Sequence, residues 1–160
     1  MKRIHHFNTT VKWTGNKGSG TDYYLNYERS HEILVDNKAI ILGSSDPAFR
    51  GDGTKHNPED LLVASISSCH MLWYLHLCAD AGVIVLDYTD NASGQMSEGE
   101  GAGGRFTEVT LNPVVTVADI SMKDKATELH HKAHEFCFIA NSVNFPVHID
   151  CTVLIAEKES

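Results

Sequence analysis

Short segments with alternating apolar and polar residues open the chain and predict strands. Thr10–Trp13 alternates, and the glycines that follow it indicate a turn. Residues 22–27 are rich in aromatic side chains and also predict a strand. Residues 33–35 and 39–42 are apolar and flank the sequence Asp-Asn-Lys, which suits a hairpin turn. The first third of the chain is therefore expected to form four short strands.

A long apolar segment follows and predicts a helix over residues 58–81. Asn57 suits the N-cap, Pro58 suits the first helical position, and Gly82 suits the position after the last turn. Apolar or small residues occupy nearly every face of this helix, which is typical of a helix buried on all sides. Because the strands of one chain would cover only one side, we expect a second copy to cover the other, in an intertwined homodimer.

The pattern then returns to strands and to a second helix. Residues 83–87 and 106–117 are rich in β-branched side chains and predict strands, with a glycine-rich turn at 94–104 between them. Ser121 and Asp124 form a capping signal for the second helix, whose apolar stripe consists of Ala126, Leu129, Ala133, Phe136 and Ala140. Residues 147–155 alternate strictly between apolar and polar types and predict one half-buried strand.

The predicted order of elements is ββββ-α-ββ-α-β, which is an α+β arrangement. We find no repeat or linker that divides the 160 residues, so we expect one domain over residues 1–160. An apolar fraction of 42% and a charged fraction of 21% are typical of globular proteins and argue against a disordered chain.

Charge and the N-terminal sequence limit the classes of partner. The net charge of −8 argues against a nucleic-acid partner, because such proteins neutralise phosphates with basic side chains. The two basic residues at the start are not followed by an apolar run of signal-peptide length, and serines and histidines interrupt the most apolar window, residues 61–77. We therefore expect a cytoplasmic protein without a membrane partner, in a compartment that keeps thiols reduced.

The four cysteines are the candidates for chemistry in such a compartment. Cys78 has apolar neighbours and Cys151 alternates with valine and isoleucine, so both are expected to be small core residues. Cys69 cannot bond Cys78, because nine residues place the two on opposite sides of one helix. A core position is an alternative for Cys69 and Cys137 as well, but serines and a histidine flank Cys69. Cys137 ends the apolar stripe of the second helix, where it could face the first helix.

A reactive cysteine has to be a thiolate near neutral pH. Cys69 lies about three turns into its helix, beyond the reach of the helix dipole, so a neighbouring cation is needed. Arg50, in the loop before the helix, is the best candidate, and Glu59 could orient it through a bidentate ion pair. The alternatives are a solvated loop residue for Arg50 and an ordinary helix-start carboxylate for Glu59.

Two motifs give the chain a resemblance to a known family. Residues 49–62 have the sequence FRGDGTKHNPEDLL, and the same helix continues to SSCH at residues 67–70. In the second motif, Cys137 follows Ala133 by four residues and precedes IANSV at residues 139–143. Over nearly the whole chain, these segments resemble the OsmC/Ohr family of osmotically inducible protein C and organic hydroperoxide resistance proteins. The run CHMLWYL, which begins at Cys69, resembles the OsmC-like branch.

The resemblance implies a thiol-dependent peroxidase that reduces organic hydroperoxides to alcohols. Cys69 matches the family's peroxidatic cysteine and Cys137 its resolving cysteine, which implies a Cys69 sulfenic acid and then a Cys69–Cys137 disulfide. Arg50 and Glu59 match the pair that activates the peroxidatic thiol. The implied fold has antiparallel sheets wrapped around the central helices of an intertwined homodimer. The implied reductant is an external dithiol such as a lipoyl group, and the chemistry involves no metal or other cofactor.

Helix geometry adds an expectation about which subunit supplies the activating pair. Glu59 lies ten residues before Cys69, which corresponds to about 15 Å along a helix axis. We therefore expect Arg50 and Glu59 of one subunit to serve Cys69 of the other. Four apolar side chains are expected to line the pocket and to favour alkyl hydroperoxides over hydrogen peroxide, namely Leu72, Trp73, Phe136 and Phe138.

Two other functions stay open at this point. His130, His134 and Cys137 are spaced at i, i+4 and i+7 along the second helix, which suits a zinc or other transition-metal site with Cys69 as a fourth ligand. The other alternative is a non-catalytic dimeric module that keeps the fold and binds a small molecule in its apolar pocket.

Overall fold

A computed structural model describes residues 2–99 and 103–157, which form two α-helices and nine strands in the predicted α+β class. The helices are α1 (Pro58–Asp80) and α2 (Lys123–Phe136). The strands are β1 (Thr10–Trp13), β2 (His31–Leu34), β3 (Ile41–Gly43), β4 (Val85–Asp90), β5 (Ser93–Glu98), β6 (Gly104–Leu111), β7 (Pro113–Val117), β8 (Val147–Ile149) and β9 (Thr152–Ile155). The chain divides into two compact units, Met1–Leu61 and Leu62–Ser160.

The first unit contains an antiparallel sheet in the order β1-β2-β3. The predicted hairpin is confirmed, because β2 and β3 pair and Asn37 takes a left-handed turn conformation with φ of 62°. The strand predicted over residues 22–27 is wrong, since these residues form turns and bends. Tyr24 and Tyr27 instead place their rings 4.4 and 4.2 Å from the guanidinium carbon of Arg29.

The helix α1 begins and ends close to its predicted bounds. Asn57 Oδ1 accepts a hydrogen bond from the Asp60 backbone N–H at 2.8 Å, and the Asp60 carboxylate accepts one from the Asn57 N–H at 3.5 Å. This reciprocal pair caps the first turn. Gly82 has a φ of 73°, a conformation that glycine adopts readily after a last helical turn.

The second unit holds two sheets, in the orders β4-β7-β9 and β5-β6-β8. The pairs β4–β7 and β5–β6 are antiparallel, whereas β7–β9 and β6–β8 are parallel. Only Asn112 separates β6 from β7, and its backbone N–H donates to the Asp90 carboxylate at 2.7 Å instead of to a strand. The single strands predicted over residues 106–117 and 147–155 are therefore each divided between two sheets.

The observed order is βββ-α-ββββ-α-ββ and differs from the predicted order in three respects. First, the strand predicted over residues 22–27 is missing. Second, the strands predicted over residues 106–117 and 147–155 are each divided in two. The third is the turn predicted at 94–104, because residues 94–98 belong to β5, and residues 100–102 lie outside the described residues. Gly94 is required there, since an added Cβ would lie 2.7 Å from Phe106 and 2.9 Å from Val63. The second helix begins two residues later than predicted, after a 3₁₀ turn over Ile120–Met122.

Two hydrophobic cores fix the helices within the second unit. The larger core joins α1, α2 and the sheet β4-β7-β9 through Tyr74, Cys78, Val83, Val115, Val117, Ala126, Leu129, Ala133 and Val153. The smaller core joins the first half of α1 to β6 through Ile66, Val109 and Leu111. Among the described residues, α1 is the one helix long and apolar enough to cross a membrane by length and composition alone. Its contribution to both cores is that of a core helix.

Candidate active site

The helices α1 and α2 bring Cys69 and Cys137 together. Cys69 lies in the middle of α1, and Cys137 directly follows the last residue of α2. Cys69 is close enough to Cys137 to raise the pKa of its thiol, and both thiols are free. The sequence placed these cysteines 68 positions apart, and the packing of the two helices makes them adjacent.

The two thiols differ in their surroundings. Cys137 is completely buried, with its sulfur 3.5 Å from the Ala140 backbone N–H nitrogen and 4.0 Å from the Ile66 carbonyl oxygen. Burial raises the pKa of Cys137 to about 11, and the neighbouring Cys69 contributes to the rise. Cys137 is therefore a neutral thiol near pH 7. Cys69 is only partly buried and can meet a dissolved reactant.

An aromatic cluster lies beside the two cysteines. Trp73, one turn after Cys69, stacks on Phe136 with 5.2 Å between ring centroids and meets Phe138 edge-on at 5.5 Å. Phe136 and Phe138 flank Cys137 in the sequence. Leu72 is 63% exposed and lines a surface depression of about 320 Å³ with Trp73 and His76. Of the four residues predicted to line the pocket, Leu72 and Trp73 line this depression, whereas Phe136 and Phe138 pack on Trp73.

Arg50 and Glu59 lie in the first unit. Arg50 is exposed, ends the 3₁₀ turn Pro47–Phe49 with a φ of 64°, and lines a polar cavity of about 300 Å³ with residues that include Arg29 and Asp52. Glu59 lies in the first turn of α1 and is partly buried. Within the described part of this single chain, no ion pair contains Arg50 or Glu59. An exposed arginine gains little from such a pair, because water competes for it.

The histidines of α2 do not assemble the predicted metal site with Cys137. His130 is 1% exposed and shares a hydrogen bond with His70, with 3.1 Å between His130 Nδ1 and His70 Nε2. His130 therefore faces the helix interface. The residues that the structure describes contain no group of three or more His, Cys, Asp or Glu side chains that could hold a metal ion. The geometry gives no support to the metal-binding alternative.

Sequence reasoning missed two residues of this region, His70 and Tyr74. Both are completely buried, and Tyr74 stacks on His130 with 3.8 Å between ring centroids. The available signal was their spacing of four residues, which places two polar-tipped rings on one face of a core helix. Cys78 lies on the same face, in the larger core, as predicted. Cys151 is partly buried, and burial raises the pKa of both Cys78 and Cys151.

The α+β fold with a pair of cysteines between its two helices can be compared with known protein families. A family model described as OsmC-like protein matches residues 51–152, which is more than half of the chain. The chain belongs to the OsmC-like family, as the two sequence motifs indicated. The matched segment contains Glu59, Cys69 and Cys137, and Arg50 directly precedes it.

Solved structures share the fold over nearly the full chain. An OsmC-like protein of unknown function from Vibrio cholerae is 32% identical, with a TM-score of 0.83, covering 93% of this chain and 100% of that one. An organic hydroperoxide resistance protein from Elizabethkingia anophelis is 21% identical, with a TM-score of 0.69 and coverage of 98% and 100%. An organic hydroperoxide resistance protein from Legionella pneumophila is 16% identical, with a TM-score of 0.65, covering 96% of this chain and 99% of that one. The last two likenesses establish the fold alone, and a search of the curated proteins gave no match.

Proposed function

We propose that the protein is a thiol-dependent peroxidase that reduces organic hydroperoxides to alcohols. The proposal rests above all on one observation, the adjacency of a partly exposed Cys69 and a fully buried Cys137. Family membership supports a redox role, and two structural neighbours are named for organic hydroperoxide resistance. Peroxide reduction needs an accessible thiolate to react first and a second thiol close enough to react next.

In the first step, the Cys69 thiolate attacks the terminal oxygen of the hydroperoxide. The sulfur–oxygen bond forms as the oxygen–oxygen bond breaks, and the departing alkoxide takes up a proton to become the alcohol. Sulfur loses two electrons and the peroxide gains them, which leaves Cys69 as a sulfenic acid. Because Cys137 is buried and protonated, it does not compete for the peroxide.

In the second step, Cys137 attacks the sulfur of the Cys69 sulfenic acid. The Cys137 proton and the hydroxide released from Cys69 combine as water, and the two sulfurs form a disulfide. The Ala140 N–H, 3.5 Å from the Cys137 sulfur, stabilises the thiolate that forms during this step. Adjacency of the thiols matters because overoxidation of the sulfenic acid competes with disulfide formation.

An external dithiol completes the cycle. It supplies two electrons and two protons by thiol–disulfide exchange, which restores both cysteines and leaves the reductant as its own disulfide. A lipoyl-type dithiol fits this role and the cytoplasmic location expected from the sequence. The aromatic cluster of Trp73, Phe136 and Phe138 gives alkyl or aryl groups an apolar surface that hydrogen peroxide cannot use.

The proposal includes a homodimer in which Arg50 and Glu59 of one subunit serve Cys69 of the other. The unbroken helix α1 keeps Glu59 about 15 Å along the axis from Cys69 of its own chain. The exposed apolar side chains around the site, such as Leu72 and Phe138, are the surface that a second copy would cover. Arg50 would then stabilise the thiolate and bind the peroxide oxygens.

The test is consumption of cumene hydroperoxide with a dithiol by the wild type, Cys69→Ser and Cys137→Ser. We expect Cys69→Ser to lose at least about a hundredfold in rate, because the nucleophile is removed. Cys137→Ser should complete one turnover and then accumulate the Cys69 sulfenic acid, which dimedone traps. Cys78→Ser is the matched control, since this cysteine lies on α1 but in the larger core.

Two results would overturn the proposal. One is a Cys69→Ser variant as active as the wild type. The other is an inactive wild type whose Cys69 resists alkylation up to the pH at which ordinary thiols react. That second result would favour the non-catalytic binding module, which keeps the fold and the apolar depression but needs no reactive thiol.

A further inference from the structure

We propose that the buried histidine pair His70 and His130 positions α2 on α1 so that Cys137 can reach Cys69. This role depends on the proposed function for its biological use, and its structural content can be tested without peroxide. The two histidines would be positioning residues, because they touch neither the reacting sulfur atoms nor the substrate.

The pair forms the polar link in a stack of three buried rings. His70 Nε2 lies 3.1 Å from His130 Nδ1, and the two rings are parallel within 8°. Tyr74 stacks on His130 with centroids 3.8 Å apart and rings parallel within 11°. The Tyr74 hydroxyl donates to the Ala126 carbonyl of α2 at 3.0 Å. All three rings are at most 1% exposed, so the hydrogen bonds and ring stacking that join the helices are buried from solvent.

The link is close to both thiols along the chain. His70 directly follows Cys69, and His130 precedes Cys137 by seven residues, about two helical turns. Cys137 directly follows α2, so the docking of α2 on α1 sets the position of its sulfur. The hydrogen-bond contact of Cys137 with the Ile66 carbonyl of α1 is weak, with 4.0 Å between the sulfur and the oxygen. The histidine pair is therefore a specific polar link between the two helices that can set the separation of the two sulfurs.

The chemistry of imidazole explains why such a link fixes one arrangement. Two neutral imidazoles can form one N–H···N bond, and only if one ring donates and the other accepts. The outer nitrogens, His70 Nδ1 and His130 Nε2, are buried without a protein partner in the described structure, as is His134 Nδ1. The shared bond is thus the only polar contact of the two rings with described protein atoms. A shift of α2 would break it and leave both rings unsatisfied, which is costly in a buried core.

The experiment measures how readily Cys69 and Cys137 form their disulfide in a series of glutathione redox buffers, with mass spectrometry after alkylation. In His130→Leu we expect the equilibrium constant for disulfide formation to fall about tenfold, the scale of one lost hydrogen bond. In His130→Asn we expect a change of less than about twofold, because the asparagine amide occupies the position of the imidazole Nδ1 and can keep the bond. His131→Asn, on the exposed side of α2, should match the wild type.

A purely structural role would not produce this pattern. Val115→Ala is the control for general destabilisation, because Val115 is completely buried in the same core but lies on β7. It should lower the thermal midpoint and leave the disulfide equilibrium unchanged. If His130→Leu does not fold, His130→Gln replaces it, since that side chain is polar but places its amide one bond too far away. We expect His130→Gln to resemble His130→Leu.

The proposal is overturned if folded His130→Leu, or its replacement His130→Gln, has the wild-type equilibrium. It is also overturned if Val115→Ala shifts the equilibrium as much, or if the wild type does not form the disulfide. A wild type that forms the disulfide but does not reduce peroxide would contradict the peroxidase function. In that case the variant series would still decide whether the histidine pair positions the thiols.

Discussion

At the scale of single residues, the site contrasts a partly exposed thiol with polar groups that the core keeps neutral. Burial lowers the pKa of His70 to about 4 and that of His130 to about 3. It raises the pKa of Cys137 to about 11. All three groups are thus uncharged near pH 7, which is the state that burial at the helix interface favours.

The histidine pair predicts how stability depends on pH. Below its ordinary pKa of 6.5, each histidine takes up a proton in the unfolded chain but stays neutral in the folded chain until about pH 4 for His70 and about pH 3 for His130. The unfolded state then binds more protons, so the free energy of unfolding falls as the pH is lowered from about 6.5 toward 4. Urea unfolding at pH 7, 6 and 5 and constant ionic strength measures this slope.

Removal of one histidine should remove part of that slope. We expect the free energy of unfolding of His130→Asn to depend less steeply on pH than that of the wild type between pH 7 and 5. The difference in slope should correspond to about one proton per molecule. His131→Asn is the control, because His131 is exposed. Equal slopes in the wild type and His130→Asn would show that His130 is not kept neutral by burial.

At the scale of elements, the sequence predicts local features well and sheet membership poorly. The ends of α1 were predictable because Asn57, Pro58 and Gly82 influence the backbone only within about one helical turn of their own positions. The division of residues 106–117 into β6 and β7 was not, because a strand that changes sheets keeps its β-branched pattern. Gly94 was expected to belong to a turn. In the structure it lies in β5, where the Phe106 side chain leaves no room for a Cβ.

The candidate site was predictable to a similar extent. The motifs around Cys69 and Cys137 indicate both cysteines as candidates, and Trp73, Phe136 and Phe138 form an aromatic cluster beside them. The adjacency of the thiols depends on how α2 docks on α1, which no local pattern encodes. His130 illustrates the same limit, since its spacing suited a metal ligand and its actual partner, His70, lies 60 positions away.

At the scale of the whole molecule, the described residues of the chain leave much of α1 exposed. Only 28% of its most apolar 18-residue window is buried. Around the thiols, Leu72, Phe136 and Phe138 are 63%, 42% and 67% exposed. A monomer would leave this apolar surface in water, whereas a second copy of the chain would cover it and could supply Arg50 to each Cys69.

The proposed exchange of residues between subunits can be tested with heterodimers. Arg50→Ala and Cys69→Ser should each be inactive as homodimers. When the two are co-expressed with different tags and purified as a heterodimer, one site contains both Cys69 and the partner's Arg50. We therefore expect about half of the wild-type peroxidase activity for the heterodimer, as one intact site out of two requires.

An inactive heterodimer would show that Arg50 acts on Cys69 of its own chain. Sedimentation of the wild type provides the control, because the experiment presupposes a dimer. A monomer that retains full activity would contradict both the dimer and the shared site.

The most direct test of the central claim is the mass of the protein after one equivalent of cumene hydroperoxide. We predict the loss of two hydrogen atoms and, after alkylation and digestion, one cross-linked peptide pair that joins Cys69 to Cys137. Cys78 and Cys151 should be recovered fully alkylated. A disulfide that contains Cys78 or Cys151, or an unchanged mass in peroxide, would contradict the assignment of Cys69 and Cys137 as the redox pair.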